Sequence, residues 1–472
     1  MIFDAANLLR GGGRIERDSD IARSECDRTG RSASESASSR SDLSRAARGK
    51  APKIGTSRII GERMQDRLQN LVAARRPGFG LAQAFYTDAA IFEADMQAVF
   101  AGDWLFACNV CEIRNPGDYV TLTVGRQPLV VLRDRDGEVR SFHNVCRHRG
   151  SRLCSQERGH ANRLVCPYHQ WVYELDGRLR TARQMPKDFA TSAYGLKAVR
   201  AEVICGLIYV SLADDPPSLD GFRAAVTPYI APHQPHRTKL AFESTIVEKA
   251  NWKLVIENNR ECYHCAANHP ELLASLVEFA LPDDPRATAA FKDVMDRAAA
   301  KWDACGLPHR PADGGDEFRC IRLPFHDGAV SFTMDGRPAC GKLLGGLADA
   351  DLGSVRMFRA PNNWHHFLAD HIVHFRVLPI APDRTAVRTT WLVHEDAIEG
   401  VDYDVERLSE VWLATNDQDR RLVENNHLGI MSMAYEPGPY VPSEFMLEQF
   451  SSWYAAKMRA FAAGPTRLTA AE

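Results

Sequence analysis

No stretch of the 472 residues approaches the roughly eighteen consecutive apolar positions that a membrane-spanning helix needs, so a helical membrane protein is excluded. An excess of charge is missing too. With 58 Lys and Arg against 61 Asp and Glu, the formal net charge is -3, which gives no electrostatic basis for nucleic-acid binding. The N-terminus lacks a short apolar core behind basic residues, so no secretory signal is expected and the cytoplasm is the default compartment. Twelve cysteines are too sparse for a disulfide scaffold, and a reducing compartment would keep those not holding a metal as thiols. Cys108, Cys111, Cys205, Cys305, Cys320 and Cys340 have no histidine at ligand spacing and read as small hydrophobes. Aromatic residues are almost absent from residues 1–62, a Ser-, Arg-, Gly- and Asp-rich stretch that cannot bury enough surface to offset ordering entropy. A disordered tail is expected there, with Met64 as a candidate alternative start.

What remains has the make-up of a globular protein, with 45% hydrophobic and 25% charged residues and length enough for two or three domains. Residues 63–103 carry apolar positions at helical spacing in MQDRLQNLVAARR and DAAIFEADMQAVFAGDW and read as a helical lead-in. Residues 104–215 read as a β domain. DYVTLTV, PLVVLRD and EVRSFHNV are short β-branched runs broken by turn pairs such as Asp136-Gly137 and Asp176-Gly177, and Pro216-Pro217 marks the boundary. Residues 216–472 form the last unit. In it HIVHFRVLPI and TAVRTTWLVH flank a turn as a long antiparallel hairpin, and DYDVERLSEVWLATNDQDRRLVENNH reads as a long helix. Between about 280 and 350 no periodicity is clear.

Chemistry concentrates first between Cys146 and His169. Cys146-x-His148 and Cys166-x-x-His169 offer two thiolates and two imidazoles in short turns, a four-ligand site that neither pair could close alone. A zinc ion accepts such a set, but its usual spacing groups the cysteines together and the histidines together. One Cys and one His from each turn suits a Rieske [2Fe–2S] centre, in which one iron keeps two thiolates and the other takes two imidazoles.

A second constellation is Glu261, His264 and His269 in ENNRECYHCAANHPEL. Histidines five apart lie about 140° apart on a regular helix and could not share a metal. Pro270 supplies a break, because the residue before proline is pushed out of the α region. Two histidines and one carboxylate form the facial triad of non-haem Fe(II) oxygenases, and the carboxylate candidates are Asp417 and Asp419. The apolar stripe of the predicted helix runs Val405, Leu408, Trp412, Thr415, Asp419, Leu422, Asn426. An acid placed in that stripe is costly unless a cation satisfies it, so Asp419 is preferred. Asp417, two positions away and about 160° round the helix, reads as a solvated surface acid.

These motifs resemble Rieske non-haem iron oxygenase catalytic (alpha) subunits from about residue 64 onward. WKLVIENNRECYHCAANHPEL, RLVENNHLGI and PSEFMLEQFSSWY are similar to the quaternary-ammonium branch, which includes glycine betaine and stachydrine demethylases. His427 stands where that branch more often has Gln. The resemblance implies an α+β protein: an all-β Rieske domain plus an α+β catalytic domain with an antiparallel sheet flanked by helices. It implies that Cys146 and Cys166 bind one cluster iron, His148 and His169 the other, and His264, His269 and Asp419 a mononuclear Fe(II). It assigns Glu261 as a bridge for electrons between the cluster of one subunit and the iron of its neighbour in a homotrimer, with His169 facing that Glu261. The implied reaction hydroxylates an N-methyl group with dioxygen and releases formaldehyde. No glycine-rich dinucleotide fingerprint occurs in the chain, so a separate flavin-dependent NAD(P)H reductase is implied. Tyr263, Trp364, Phe367, Trp391 and Trp412 are available as aromatic faces for a quaternary ammonium group. Two other readings stand beside this one: a ring-hydroxylating dioxygenase with the same metals, and a zinc-stabilised binding protein without catalysis.

Overall fold

Apolar positions at helical spacing open the ordered chain, and β-branched runs cut by turns follow them. The computed structural model describes residues 55–277 and 289–464. Of the tail expected over residues 1–62, residues 1–54 lie outside the described residues, and from Gly55 the chain is helical. Three helices lead in: α1 (Gly55–Ala73), α2 (Ala84–Thr87) and α3 (Ala89–Asp95). Asp88 caps α3 by accepting the Ala90 and Ile91 N–H groups, and the helix runs on into a π-helical turn over Met96–Phe100. Leu68, Val72, Phe85, Ile91, Val99 and Phe100 point inward and join the main core.

Ten strands then build the β region: β1 (Trp104–Asn109), β2 (Asp118–Val124), β3 (Gln127–Arg133), β4 (Val139–His143), β5 (Arg158–His160), β6 (Leu164–Val165), β7 (Val172–Tyr173), β8 (Leu179–Thr181), β9 (Ala198–Ile204) and β10 (Leu207–Ser211). They form an antiparallel sheet in the order β1-β10-β9-β4-β3-β2-β5 and a small sheet β6-β7-β8. Gly137 has φ +83° in the turn between β3 and β4, the conformation that the Asp-Gly pair anticipates.

The remainder is mixed: α4 (Asp220–Ile230), β11 (Thr238–Glu248), α5 (Trp252–Asn259), α6 (Cys265–Asn268), α7 (Ala289–Ala304), β12 (Ala312–Asp313), β13 (Phe318–Leu323), β14 (Ser354–Arg359), β15 (Asn363–Phe367), β16 (Ile372–Ala381), β17 (Arg384–His394), α8 (Val405–Ile430) and α9 (Phe445–Ala463). Its sheet is antiparallel throughout, in the order β11-β17-β16-β15-β14-β13-β12. The expected hairpin is β16–β17, and the expected long helix is α8, which packs against β11 and α5. This is the α+β class read from the sequence. The region without clear periodicity holds α7, β12 and β13, with residues 278–288 outside the description.

One expectation about α8 needs correcting. Its buried stripe follows Leu408, Trp412 and Thr415 as read, but then runs through Val423, His427 and Ile430 instead of Leu422 and Asn426. Leu408 and Asn426 are about five whole turns apart and share one angle on a 3.6-residue helix, so the last turns bury a face rotated from the one that the first turns bury.

The two sheets are joined by polar groups in place of apolar contact alone. Asn362 accepts the Phe106 N–H at 3.0 Å and donates to the Phe106 carbonyl at 3.2 Å, mimicking a strand partner for β1. Arg388 on β17 binds both Glu112, after β1, and Glu243 on β11. A third junction lies at the start of the segment that carries His264 and His269. Asp95 at the end of α3 accepts from Trp252 Nε1 (3.0 Å), from Lys253 Nζ and from Tyr454 Oη (2.7 Å), so one buried carboxylate ties α3, α5 and α9 together. Asp95 and Lys253 are fully buried.

Asp95→Ala therefore leaves an uncompensated ammonium in the core and is expected to destabilise the fold by about 3–5 kcal/mol. Urea titration of the single variant and of Asp95→Ala/Lys253→Met checks this, because the double variant should recover part of the loss. Equal losses would show that the pair is not coupled.

Candidate metal centres

The first centre is built from two matching turns at the edge of the β6-β7-β8 sheet. Cys146 opens one and Cys166 the other, and each is closed by an N–H four residues on: Gly150 N to Cys146 O at 3.0 Å, Gln170 N to Cys166 O at 3.0 Å. Both closing residues are left-handed, with φ of +80° at Gly150 and +59° at Gln170. This places the thiols inside and the imidazoles outside. Cys146 and Cys166 are 3% and 1% exposed, whereas His148 is exposed and His169 half-buried. The Nδ1 atoms of His148 and His169 are 3.1 Å apart. Aromatic rings hold the imidazoles: Trp171 stacks on His148 at 4.9 Å and Tyr168 on His169 at 3.8 Å. Tyr173 Oη accepts the Arg147 N–H, leaving its own proton to point at Cys146 Sγ, 3.3 Å away. Thiols on one side and imidazoles on the other are what two irons of different ligation require, and a single tetrahedral ion would gain nothing from the segregation. The residues present fit a [2Fe–2S] cluster.

The second centre lies where α5 ends. Glu261 accepts the N–H groups of Tyr263 and His264 (the latter at 3.3 Å), which turns the chain, and the single-turn helix α6 follows, with His264 and His269 as its flanking residues. His269 has φ -123° and ψ 64°, outside the helical region as Pro270 demands, and its ring swings back to 4.9 Å from that of His264. From α8, Asp419 Oδ1 reaches to 3.0 Å from His269 Nε2 and 3.4 Å from His264 Nε2. Asp417 pairs with Arg420 and Arg421.

The convergence of these three side chains is the test of fit. His269 Nε2 and Asp419 Oδ1 are buried, yet the geometry between them makes no hydrogen bond. Ligands about 2.1 Å from a metal and at right angles to one another lie about 3.0 Å apart, so the atoms are spaced as neighbours around a common cation. Burial opposes a charge on His264, but contacts with Asp419 and Glu261 outweigh it and push the imidazole up to about 9. Asp419 itself is held below the usual carboxylate range by the two imidazoles, against the opposing effect of burial. Glu248, buried nearby, is pushed up to about 8, chiefly by burial and then by the Asp419 charge, and so adds no second negative charge at neutral pH.

Outer partners fix both rings. His264 Nδ1 meets Glu261, and His269 Nδ1 donates to Gln418 Oε1 at 2.9 Å, while Gln418 donates to Glu271 at 2.6 Å. The Nε2 atoms are thereby left as the ligating nitrogens. Sequence reasoning missed Gln418 and Glu271. A glutamine beside an acid on a helix carries no signal until the partner histidine is located. Cys262 and Cys265 also depart from expectation, since they are joined as a disulfide across His264 instead of standing as thiols. Three residues of one tight turn bring them together, irrespective of the sparse cysteine count. Cys265 lies close to both imidazoles but, once bonded to Cys262, has no thiolate to offer.

A cavity opens onto this centre between the sheet and α8. Leu276, Ile321, Phe358, Trp364, His366 and Trp412 line it. Of the aromatic residues available from the sequence, Trp364 and Trp412 reach it, and Tyr263, Phe367 and Trp391 do not.

Residues 103–200 match the family model described as Rieske [2Fe-2S] domain, and residues 235–460 match ring hydroxylating alpha subunit (catalytic domain). The chain is 50% identical over 391 residues to a glycine betaine monooxygenase oxygenase subunit of Pseudomonas aeruginosa, covering 82% of this chain and 91% of that one. A carnitine monooxygenase oxygenase subunit of Escherichia coli is 35% identical over 208 residues, 43% of this chain and 55% of that one. Among solved structures, the quaternary ammonium Rieske monooxygenase CntA in complex with L-carnitine superposes with a TM-score of 0.60 at 19% identity, covering 83% of this chain and 98% of that one. Naphthalene 1,2-dioxygenase from Rhodococcus sp. gives 0.62 at 18%, covering 84% and 98%. At these identities the structural likeness speaks for the fold alone.

Asp419→Ala is expected to lose the mononuclear metal while the visible and electron-resonance spectra of the cluster stay intact. Asp417→Ala is expected to keep both. Metal analysis of the two variants checks the choice, and retained mononuclear metal in Asp419→Ala would return the role to Asp417.

Proposed function

The chain belongs to the Rieske oxygenase alpha-subunit family, and on that premise we propose that it is the oxygenase component of a monooxygenase that removes an N-methyl group from a quaternary ammonium compound resembling glycine betaine. The observation that carries this reading is the convergence of His264, His269 and Asp419 at the mouth of an aromatic-lined cavity, taken with 50% identity to glycine betaine monooxygenase oxygenase subunits. Cys146, His148, Cys166 and His169 would hold the [2Fe–2S] cluster, and His264, His269 and Asp419, whose ligating atoms converge, would hold the mononuclear Fe(II). When bound, the cluster supplies single electrons and the Fe(II) activates dioxygen toward a C–H bond.

The protein's own part is placement. Glu261 and Gln418 fix the two imidazoles, and Trp364 and Trp412 give a quaternary nitrogen, which has no hydrogen to donate, an apolar and quadrupolar wall. Once an N-methyl carbon carries a hydroxyl, loss of the hydroxyl proton and cleavage of the C–N bond give formaldehyde and the tertiary amine without further help from the protein. The reaction consumes two electrons and two protons per dioxygen, and a separate reductase supplies the electrons. We read that partner as a flavin-dependent NAD(P)H reductase and the assembly as a homotrimer. In such a trimer Glu261 would bridge a neighbour's cluster imidazole and this chain's His264. Its support is the bond Glu261 already makes to His264 Nδ1.

Two measurements check this. Purified holoenzyme supplied with a reductase should release one formaldehyde per glycine betaine consumed; inertness toward glycine betaine, stachydrine and carnitine together with oxidation of an aromatic acid would favour a ring-hydroxylating dioxygenase. Glu261→Gln should retain both metals but slow single-turnover electron transfer by at least tenfold, and an unchanged rate would remove the bridge.

A further inference from the structure

Arg356 is a charge in the cavity that the metal centre leaves unused. It sits at mid-strand on β14, paired in register with Ile321 on β13 and His366 on β15, and Phe358 follows two positions later on the same face of the sheet. All four line the cavity that contains His264, His269 and Asp419. Two other arginines line that wall, and each leaves a single N–H, its Nε, buried without an acceptor. Arg319 meets Asp313 at 3.2 Å, and Arg260 lies 3.9 Å over the ring of Phe358. Among the described residues Arg356 meets no carboxylate, and its Nε and Nη2 N–H groups are buried without an acceptor.

An unpaired guanidinium is expensive to bury. Burial pulls Arg356 down to about 10, yet it still carries its charge at neutral pH. Its neighbour His366 cannot relieve it, because burial and the Arg356 charge hold that imidazole neutral. Two convergent N–H donors on a planar cation form the fork that takes a carboxylate by two parallel hydrogen bonds. The same cation repels a ligand that carries only positive charge.

We propose that Arg356 is a specificity-determining residue that binds the carboxylate of a zwitterionic quaternary ammonium substrate, with Trp364 and Trp412 taking the ammonium end. This rests on the N-demethylase reading and narrows its substrate class to amino-acid betaines, against simple cations such as choline.

The test compares wild-type holoenzyme with Arg356→Gln and Arg356→Lys on glycine betaine and choline, following both binding by calorimetry and formaldehyde release. In Arg356→Gln, glycine betaine binding should weaken at least tenfold, the size expected for lost hydrogen bonds to a charged group, while choline binding is unchanged or improved. Arg356→Lys should fall between the two. Equal losses for both ligands, unaltered betaine binding in Arg356→Gln, or no betaine binding to the wild type would overturn the proposal. Wild-type binding without formaldehyde release would instead refute the demethylase reading and leave the carboxylate site to be judged on the binding data alone.

Discussion

A carboxylate oxygen lying 3.0 and 3.4 Å from two imidazole nitrogens, without a hydrogen bond to settle it, is an arrangement a folded chain keeps only at a cost. Much of the catalytic unit can be understood as meeting that cost. Helix α8 carries Asp419 inward on its buried face, the Glu261 turn and Pro270 bend the segment after α5 so that two histidines five apart can meet, and Glu261 and Gln418 lock the rings. Asp95 fastens α5 to α3 and α9, so that the ligand-bearing turn starts from a fixed base. On the proposed reading, a divalent cation held by the three atoms would turn that conflict into coordination.

The cluster turns obey a different constraint. Two five-residue loops with left-handed closing residues present thiols to the core and imidazoles toward the surface, so the sulfurs are shielded from solvent. The polar junctions through Asn362, Arg388 and Asp95 then tie that β region and the lead-in helices to the catalytic sheet.

Much of this was legible in the residues. Cys-x-His and Cys-x-x-His point by their mixed spacing to a cluster ahead of a zinc ion, Pro270 accounts for how His269 turns back, and an acid interrupting an apolar stripe points to Asp419, which the structure brings beside both histidines, over Asp417. The lower half of α8 was misread because the buried face rotates along the helix, so that Val423 and His427 are buried in place of Leu422 and Asn426, and nothing in the sequence periodicity marks that change. Arg356, Gln418 and the Cys262–Cys265 link were not legible. Each depends on which residue lies opposite in a sheet, across two helices or across a turn, and a single sequence does not fix those pairings.

The central claim is that one chain holds two iron centres of different ligation, one of them at His264, His269 and Asp419. Anomalous diffraction from crystals of the purified holoenzyme, recorded above and below the iron edge, tests it most directly. The account predicts iron density between Cys146, His148, Cys166 and His169, and a separate single iron peak within coordination distance of His264, His269 and Asp419. Signal at the zinc edge alone, or an iron peak ligated without Asp419, would contradict it.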